Sequence, residues 1–146
     1  MASPDSALPD WFPNLESCDW EITSPSSLFY NCIAWVMGDQ KRNWWPIYYY
    51  WPPGAIREET VEACRQAFSI HGFEVCDDAA VEAGFEKVAV YAQGTELTHA
   101  ARQLPNGRWT SKVGELEDIQ HETLEALEGK DYGKVGLIMR RPAPDR

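Results

Sequence analysis

The sequence is poor in positive charge and in histidine. It has 13 Lys and Arg against 23 Asp and Glu in 146 residues, a formal net charge of −10, and three His. Proteins that bind nucleic acids or anionic membranes carry clustered Lys and Arg, so we expect neither partner. The glycines form no phosphate loop, because no Gly-Lys-Ser/Thr signature occurs.

The sequence has no long apolar run, and its cysteines follow no known pattern. The spacings of the four cysteines match neither a metal site nor a disulfide framework, so we expect reduced thiols, no metal and no cofactor. No stretch reaches the length of a transmembrane helix, and the N-terminus lacks the basic and apolar segments of a signal peptide. We therefore expect a cytoplasmic location. The cysteines are Cys18, Cys32, Cys64 and Cys76.

The length and the apolar content predict one domain over residues 1–146. Hydrophobic residues make up 44% of the chain, enough to bury a core without disulfides or metal. Residues 1–27 combine prolines with aromatic side chains, which predicts an N-terminal arm laid over the body of the domain. Residues 140–146 form a polar tail.

One short segment places a thiol at the start of an apolar helix. Asn31 is a good N-cap residue and Gly38 a good stop, so Cys32 would occupy the first helical position. The positive end of the helix dipole would lower the pKa of that thiol and make it a nucleophile. The alternative is an ordinary buried core cysteine.

Six large aromatic residues follow in the loop 39–54. They either seal the core beneath an irregular segment or line a substrate cleft. Their closeness in sequence to Cys32 favours the cleft. The six are Trp44, Trp45, Tyr48, Tyr49, Tyr50 and Trp51.

The rest of the chain predicts an amphipathic helix, an antiparallel meander, a second helix and a closing strand. The periodicity of the apolar residues changes from helical to alternating at about residue 85. One early helix that carries a Cys, followed by a sheet that carries a His, is an α+β arrangement. The predicted helices are 57–72 and 118–128, and the predicted strands are 73–76, 87–92, 97–104, 108–113 and 134–139.

A cysteine nucleophile needs a general base, and the base needs a third group to orient it. His99 lies within a predicted strand between small residues, whereas His71 is expected at a helix end and His121 in an acidic helix. We therefore predict that His99 is the base.

Hairpin geometry suggests the third group. In the first of two registers for the turn near residue 106, Ser111 and Glu115 lie on the same sheet face as His99. A slip of one residue would place Lys112 there instead.

Three segments in this order resemble the papain-like cysteine hydrolase superfamily, and in particular its branch of NlpC/P60-type and related bacterial domains. They are Asn31–Trp35 at the start of a helix, Thr98–Ala101 on a strand and Trp109–Gly114 on the next strand. The resemblance covers roughly residues 28–114. It implies a papain-like α+β fold, in which the N-terminal Cys-bearing helix packs on an antiparallel sheet.

The resemblance also implies a catalytic triad of Cys32 as nucleophile, His99 as base and Ser111 as orienting residue. Ser is a weaker orienting group than the Asn or Asp of the family. The alternatives for the third position are Glu115, Asp118 and His121.

The predicted site includes an oxyanion hole and a pocket. No Gln precedes Cys32 at the spacing seen in the family, so the Cys32 backbone N–H would act with Asn31 or another donor. The residues expected at the oxyanion hole or pocket are Asn31, Trp35, Trp44 and Trp45.

The sequence thus predicts a cysteine-dependent hydrolase or acyl transferase that acts on an amide or peptide bond. We expect a peptide or other amide-containing substrate, and we allow for a protein partner. The alternative is a non-catalytic module of the same fold that binds a peptide or small ligand in an aromatic-lined cleft.

Overall fold

A computed structural model describes residues 8–24, 31–39, 41–113 and 118–143. Its strands are β1 (Trp20–Ser24), β2 (Glu74–Val75), β3 (Phe85–Gln93), β4 (Glu96–Gln103), β5 (Trp109–Lys112), β6 (Asp118–His121) and β7 (Lys134–Pro142). Its α-helices are α1 (Leu8–Trp11), α2 (Cys32–Val36) and α3 (Val61–Ile70), and two 3-10 helices span Pro13–Ser17 and Leu124–Leu127.

The fold is α+β. The seven strands form one antiparallel sheet in the order β1-β6-β5-β4-β3-β7-β2. No helix in the described segments is long and apolar enough to span a membrane.

The sheet carries a separate hydrophobic core on each face, because the side chains of each strand alternate between the two faces. The first face is covered by α2, α3 and the aromatic loop, and we call it the α2 face; Val88, Val90 and Ala100 line it. The opposite face is covered by the N-terminal segment and the second 3-10 helix, and Ala89 and Ala101 belong to it.

The predicted meander is confirmed, together with its first register. The Leu104 N–H donates to the Arg108 carbonyl at 2.7 Å, and Arg102 lies opposite Thr110. The ladder between β4 and β5 consists of this pair and the adjacent pair of Gln103 and Trp109. The residues of β4 that precede Arg102, among them His99 and Ala100, are therefore not paired with β5.

The helix predicted over residues 57–72 is confirmed as the shorter α3. Thr60 is its N-cap, and the Thr60 side chain accepts a hydrogen bond from the Ala63 N–H. The predicted strands at 73–76 and 134–139 are confirmed as β2 and β7.

The helix predicted over residues 118–128 is wrong. Asp118–His121 form β6, which pairs with β1 and β5, and only Leu124–Leu127 form a single 3-10 turn. Backbone pairing with two neighbouring strands outweighs the helical tendency of an acidic segment, because local propensity is weak compared with tertiary contacts.

The N-terminal segment is more than an arm. Its helices bury Leu8, Phe12 and Leu15 against the opposite face, and residues 20–24 form the edge strand β1. The first part of the predicted polar tail continues β7 to Pro142. Residues 1–7, 25–27 and 144–146 of the predicted arm and tail lie outside the described residues.

Candidate active site at the end of the β4–β5 ladder

Cys32 occupies the first position of α2, as predicted from its N-cap. The Asn31 Oδ1 accepts a hydrogen bond from the Ala34 N–H at 3.1 Å. The same side chain makes two hydrogen bonds with the backbone of Trp44. The Asn31 Nδ2 donates to the Trp44 carbonyl at 2.7 Å, and the Asn31 Oδ1 accepts from the Trp44 N–H at 3.0 Å. Asn31 thus ties the aromatic loop to the start of α2, a role different from the predicted oxyanion donor.

Trp35 anchors α2 over β4 and β5. Its indole N–H donates to the Thr110 hydroxyl at 3.1 Å, and the Arg102 guanidinium lies 5.5 Å from its ring centroid. Arg102 and Thr110 form the last pair of the β4–β5 ladder. One helical turn before Trp35, the Cys32 thiol lies close enough to the Ala100 backbone, just beyond that pair, for this backbone to lower its pKa.

The Cys32 thiol is buried, with 7% of the residue exposed. Burial raises its pKa to about 11, against the lowering effects of the backbone of Ala100 and Ile33 and the charge of Lys112. The predicted lowering of this pKa is wrong. Desolvation of a thiolate exceeds what the dipole of a five-residue helix can supply.

His99 is fully buried and lies opposite Tyr91 in the β3–β4 ladder, on the face opposite α2. Its ring stacks on Tyr132, with 4.2 Å between the centroids and 3° between the planes. Neither ring nitrogen has a hydrogen-bond partner within the described chain, so the structure does not join the imidazole to the Cys32 thiol by a hydrogen bond. Burial lowers the pKa of His99 well below its usual range.

Tyr132 connects the imidazole with the surroundings of the thiol. The Tyr132 carbonyl accepts a hydrogen bond from the Thr98 hydroxyl at 2.6 Å, next to His99 in β4. Burial and the charge of Cys32 both raise the pKa of the Tyr132 phenol, which places this side chain within electrostatic range of the thiol. Sequence reasoning missed Tyr132, because no local pattern distinguishes it from other turn tyrosines.

Ser111 lies on the same face as His99 but is hydrogen-bonded to His121. The Ser111 Oγ and His121 Nε2 are 2.8 Å apart, and the His121 Nδ1 lies 2.8 Å from the Thr123 carbonyl. A carbonyl can only accept, so Nδ1 carries the proton and the Ser111 hydroxyl donates to Nε2. Burial lowers the pKa of His121 to about 4, so the ring is neutral near neutral pH.

Asp118, another alternative for the third position, lies on the α2 face and pairs with Lys112. The Lys112 Nζ and Asp118 Oδ1 are 3.9 Å apart, and neither side chain is exposed. The two residues face each other across the β5–β6 ladder. Glu115 lies outside the described residues.

The aromatic loop divides into buried and exposed residues. Trp44 and Trp51 are 4% and 1% exposed and belong to the same core as Cys32. These two residues therefore seal the core beneath the loop. Trp45 is half-buried and packs against this core, while Tyr48 is 97% exposed.

A cavity of about 490 Å³ lies elsewhere on the molecule. Its walls come from residues 81–86, the β4–β5 turn and Ala143, and none of the predicted site residues line it. Within the described chain, no group of three His, Cys, Asp or Glu side chains is placed to hold a metal ion.

These observations define an α+β protein with a buried thiol, a buried imidazole that has no hydrogen-bond partner among the described residues, and a buried ion pair near the end of the β4–β5 ladder. The chain belongs to the family described as a domain of unknown function, DUF7689, whose model matches residues 21–140. No curated protein and no solved structure matches the chain. The comparisons thus identify this family and supply no link to papain-like hydrolases.

Proposed function

We propose that this protein is a cysteine-dependent hydrolase or acyl transferase that acts on an amide or peptide bond. Cys32 is the nucleophile and His99 the general base. The observation that carries the proposal is the fully buried His99 ring, whose two nitrogens have no hydrogen-bond partner in the described chain. A buried polar group without a partner costs roughly 1–3 kcal/mol, and a catalytic role is one of the explanations for such a group in a native structure.

The position of the thiol supports the same proposal. Cys32 begins a helix that packs on the strand carrying His99, and its side chain shares a core with the next residue of that strand, Ala100. A cysteine at the start of a helix packed on an antiparallel sheet is the arrangement that the papain-like resemblance implies. We therefore retain a papain-like fold as part of the proposal.

The reaction begins from a neutral pair. Burial favours the thiol form of Cys32 and the uncharged form of His99. As sulfur attacks the carbonyl carbon, the thiol proton passes to an imidazole nitrogen, and a tetrahedral intermediate forms. Cleavage of the C–N bond returns that proton to the leaving amine and leaves a thioester on Cys32.

The second half of the reaction releases the acyl group. His99 takes a proton from water, or from another acceptor nucleophile, as that oxygen or nitrogen attacks the thioester. The C–S bond breaks, the proton returns to sulfur, and the product is an acid or a transferred acyl group. The thiol and the imidazole lie toward opposite faces of the sheet, so the proposal requires them to meet through the gap between β4 and β5 beyond the Arg102–Thr110 pair, where the ladder ends. Catalytic contacts often tighten only in the complex with substrate.

Ser111 is the proposed orienting residue, because its hydroxyl lies on the face of His99. Since it donates to His121, its oxygen lone pairs remain able to accept a hydrogen bond from the His99 ring. His121 then fixes the direction of the Ser111 hydroxyl.

The test is acylation by a small activated ester, with the modified residue identified by mass spectrometry. We expect formation of a thioester on Cys32 that is lost in Cys32→Ala and slowed about a hundredfold or more in His99→Gln, the usual range for a general base. His71→Gln, at an exposed helix end, is the matched control. Acylation confined to the half-buried Cys18 and Cys76, or a Cys32 rate independent of His99, would contradict the proposal.

One observation favours a second function, a non-catalytic binding module. Tyr48 is 97% exposed at the tip of the aromatic loop and has a φ of 70°, a strained conformation for a residue other than glycine. For this function, binding of a peptide from a random library would survive Cys32→Ala and fail in Tyr48→Ala and Trp45→Ala. Binding that is lost in Cys32→Ala and retained in Tyr48→Ala and Trp45→Ala would exclude this second function.

A further inference from the structure

Lys112 and Asp118 form a completely buried ion pair. Their charged atoms are 3.9 Å apart at the β5–β6 ladder on the α2 face. Removing two charges from water costs several kcal/mol per ion, and apolar residues of similar volume often serve stability equally well. A buried ion pair beside a candidate nucleophile therefore suggests a chemical role.

The register brings Lys112 to the same sheet face as the Cys32 thiol, at the end of the β4–β5 ladder. Because Arg102 lies opposite Thr110, continuation of the same ladder would bring Ala100 opposite Lys112. The ladder ends before that point, and the Cys32 sulfur lies against the Ala100 backbone on this same face.

Two further contacts support this placement. Trp35, one turn after Cys32, is hydrogen-bonded to Thr110, which precedes Lys112 by two residues on the same face of β5. In addition, the positive charge of Lys112 lowers the pKa of the Cys32 thiol, so the two groups interact electrostatically.

We propose that Lys112 is a catalytic residue that stabilises negative charge at Cys32, first on the attacking sulfur and then on the oxygen of the tetrahedral intermediate. Asp118 is a positioning residue that holds the ammonium group in place. This inference rests on the proposed function and adds a charged group to the donors predicted for the oxyanion hole, the Cys32 backbone N–H and Asn31. A fixed charge in a water-excluded site stabilises such an oxygen strongly and needs no reorganisation during the reaction.

The experiment compares two alkylating reagents, neutral iodoacetamide and anionic iodoacetate, on the full chain. In both reactions a C–S bond forms, a C–I bond breaks, iodide leaves and the thiol proton goes to solvent. A cation beside the sulfur attracts the anionic reagent specifically. The ratio of the iodoacetate rate to the iodoacetamide rate at Cys32 therefore reports the Lys112 charge, independently of any substrate.

We expect Lys112→Met to lower this ratio about tenfold at Cys32, and Lys112→Arg to preserve it, because Arg keeps the charge. The matched control is Lys87→Met. Lys87 is also a buried, ion-paired lysine of the sheet, but its charge acts on the thiol of Cys76. Lys87→Met should lower the ratio at Cys76 and leave it unchanged at Cys32.

Lys112→Met leaves the Asp118 carboxylate buried without its cation, so folding is checked by circular dichroism. If this variant does not fold, the double variant Lys112→Met/Asp118→Leu, which removes both charges, decides the question. An unchanged ratio at Cys32 in a folded variant would overturn the role of Lys112.

The two proposals fail in different ways. If Cys32 reacts in a His99-dependent manner but its ratio of iodoacetate to iodoacetamide rates does not depend on Lys112, the proposed function stands and only this inference is overturned. Cys32 that reacts with neither reagent would overturn both.

Discussion

Ser111 and His121 are joined by a buried hydrogen bond of 2.8 Å between Oγ and Nε2. The bond links β5 to the residue that closes β6, and the second nitrogen of His121 is bonded to the Thr123 carbonyl. All hydrogen-bonding capacity of this imidazole is therefore used. The pair contrasts with His99 on the same face, whose ring has no hydrogen-bond partner within the described chain.

Ser111→Ala should destabilise the fold by about 1–3 kcal/mol, because it leaves the buried Nε2 of His121 without a donor. The measurement is the free energy of unfolding from urea titration. Ser69→Ala, at an exposed position near the end of α3, is the matched control and should stay within about 0.5 kcal/mol of the unchanged protein. Equal effects of the two variants would show that the hydrogen bond contributes little.

Stability should fall as the pH is lowered from about 6.5 to about 4, the ordinary and folded-state pKa values of His121. The folded-state pKa is lowered by burial, so in this window the unfolded chain binds a proton that the folded chain does not. Each pH unit then costs about 1.4 kcal/mol, or about 3 kcal/mol in all from this residue. The pKa of His99 is lowered in the same direction and steepens the loss.

Urea titrations across this pH window in the unchanged protein and in His121→Gln test the linkage. The His121→Gln variant should show a smaller decrease. His71→Gln should reduce the decrease less, because the pKa of the exposed His71 is also lowered but this residue is much less buried than His121. A decrease identical in all three proteins would show that groups other than His121, such as His99 or the carboxylates, cause the acid sensitivity.

Asn31→Ala should cost about 2 kcal/mol or more, because it removes the N-cap of α2 and both hydrogen bonds to Trp44. Asn31→Asp keeps the acceptor for the helix cap and loses the donor to the Trp44 carbonyl, so its cost should be intermediate. Thermal unfolding followed by circular dichroism measures both. If Asn31→Asp destabilises the protein as much as Asn31→Ala does, the hydrogen bonds to Trp44 contribute more to stability than the helix cap.

The acid limit of Cys32 acylation should lie below the ordinary titration range of histidine. Burial lowers the pKa of His99, so this base stays uncharged and able to accept a proton in mildly acidic solution. Acylation rates by the activated ester, measured as a function of pH, report this limit. A rate that already falls through pH 6.5, the ordinary histidine value, would show that a less buried group is the base.

Part of the candidate site was predictable because its determinants are local. The Asn31 cap and the first helical position of Cys32 follow from a few adjacent residues, and the hairpin register follows from one tight turn. The partner of Ser111 was not predictable in this way. His121 reaches it only because residues 118–121 pair as a strand, where the sequence pattern favoured a helix.

The sequence by itself determined the α+β class, the cap of α2, the α3 helix and the meander, because each depends on capping, periodicity or turn residues close together in the chain. Only the tertiary structure decided the raised pKa of Cys32, the isolation of the His99 ring against Tyr132 and the burial of Lys112 with Asp118. These properties depend on desolvation and on contacts between distant segments, which no local pattern encodes.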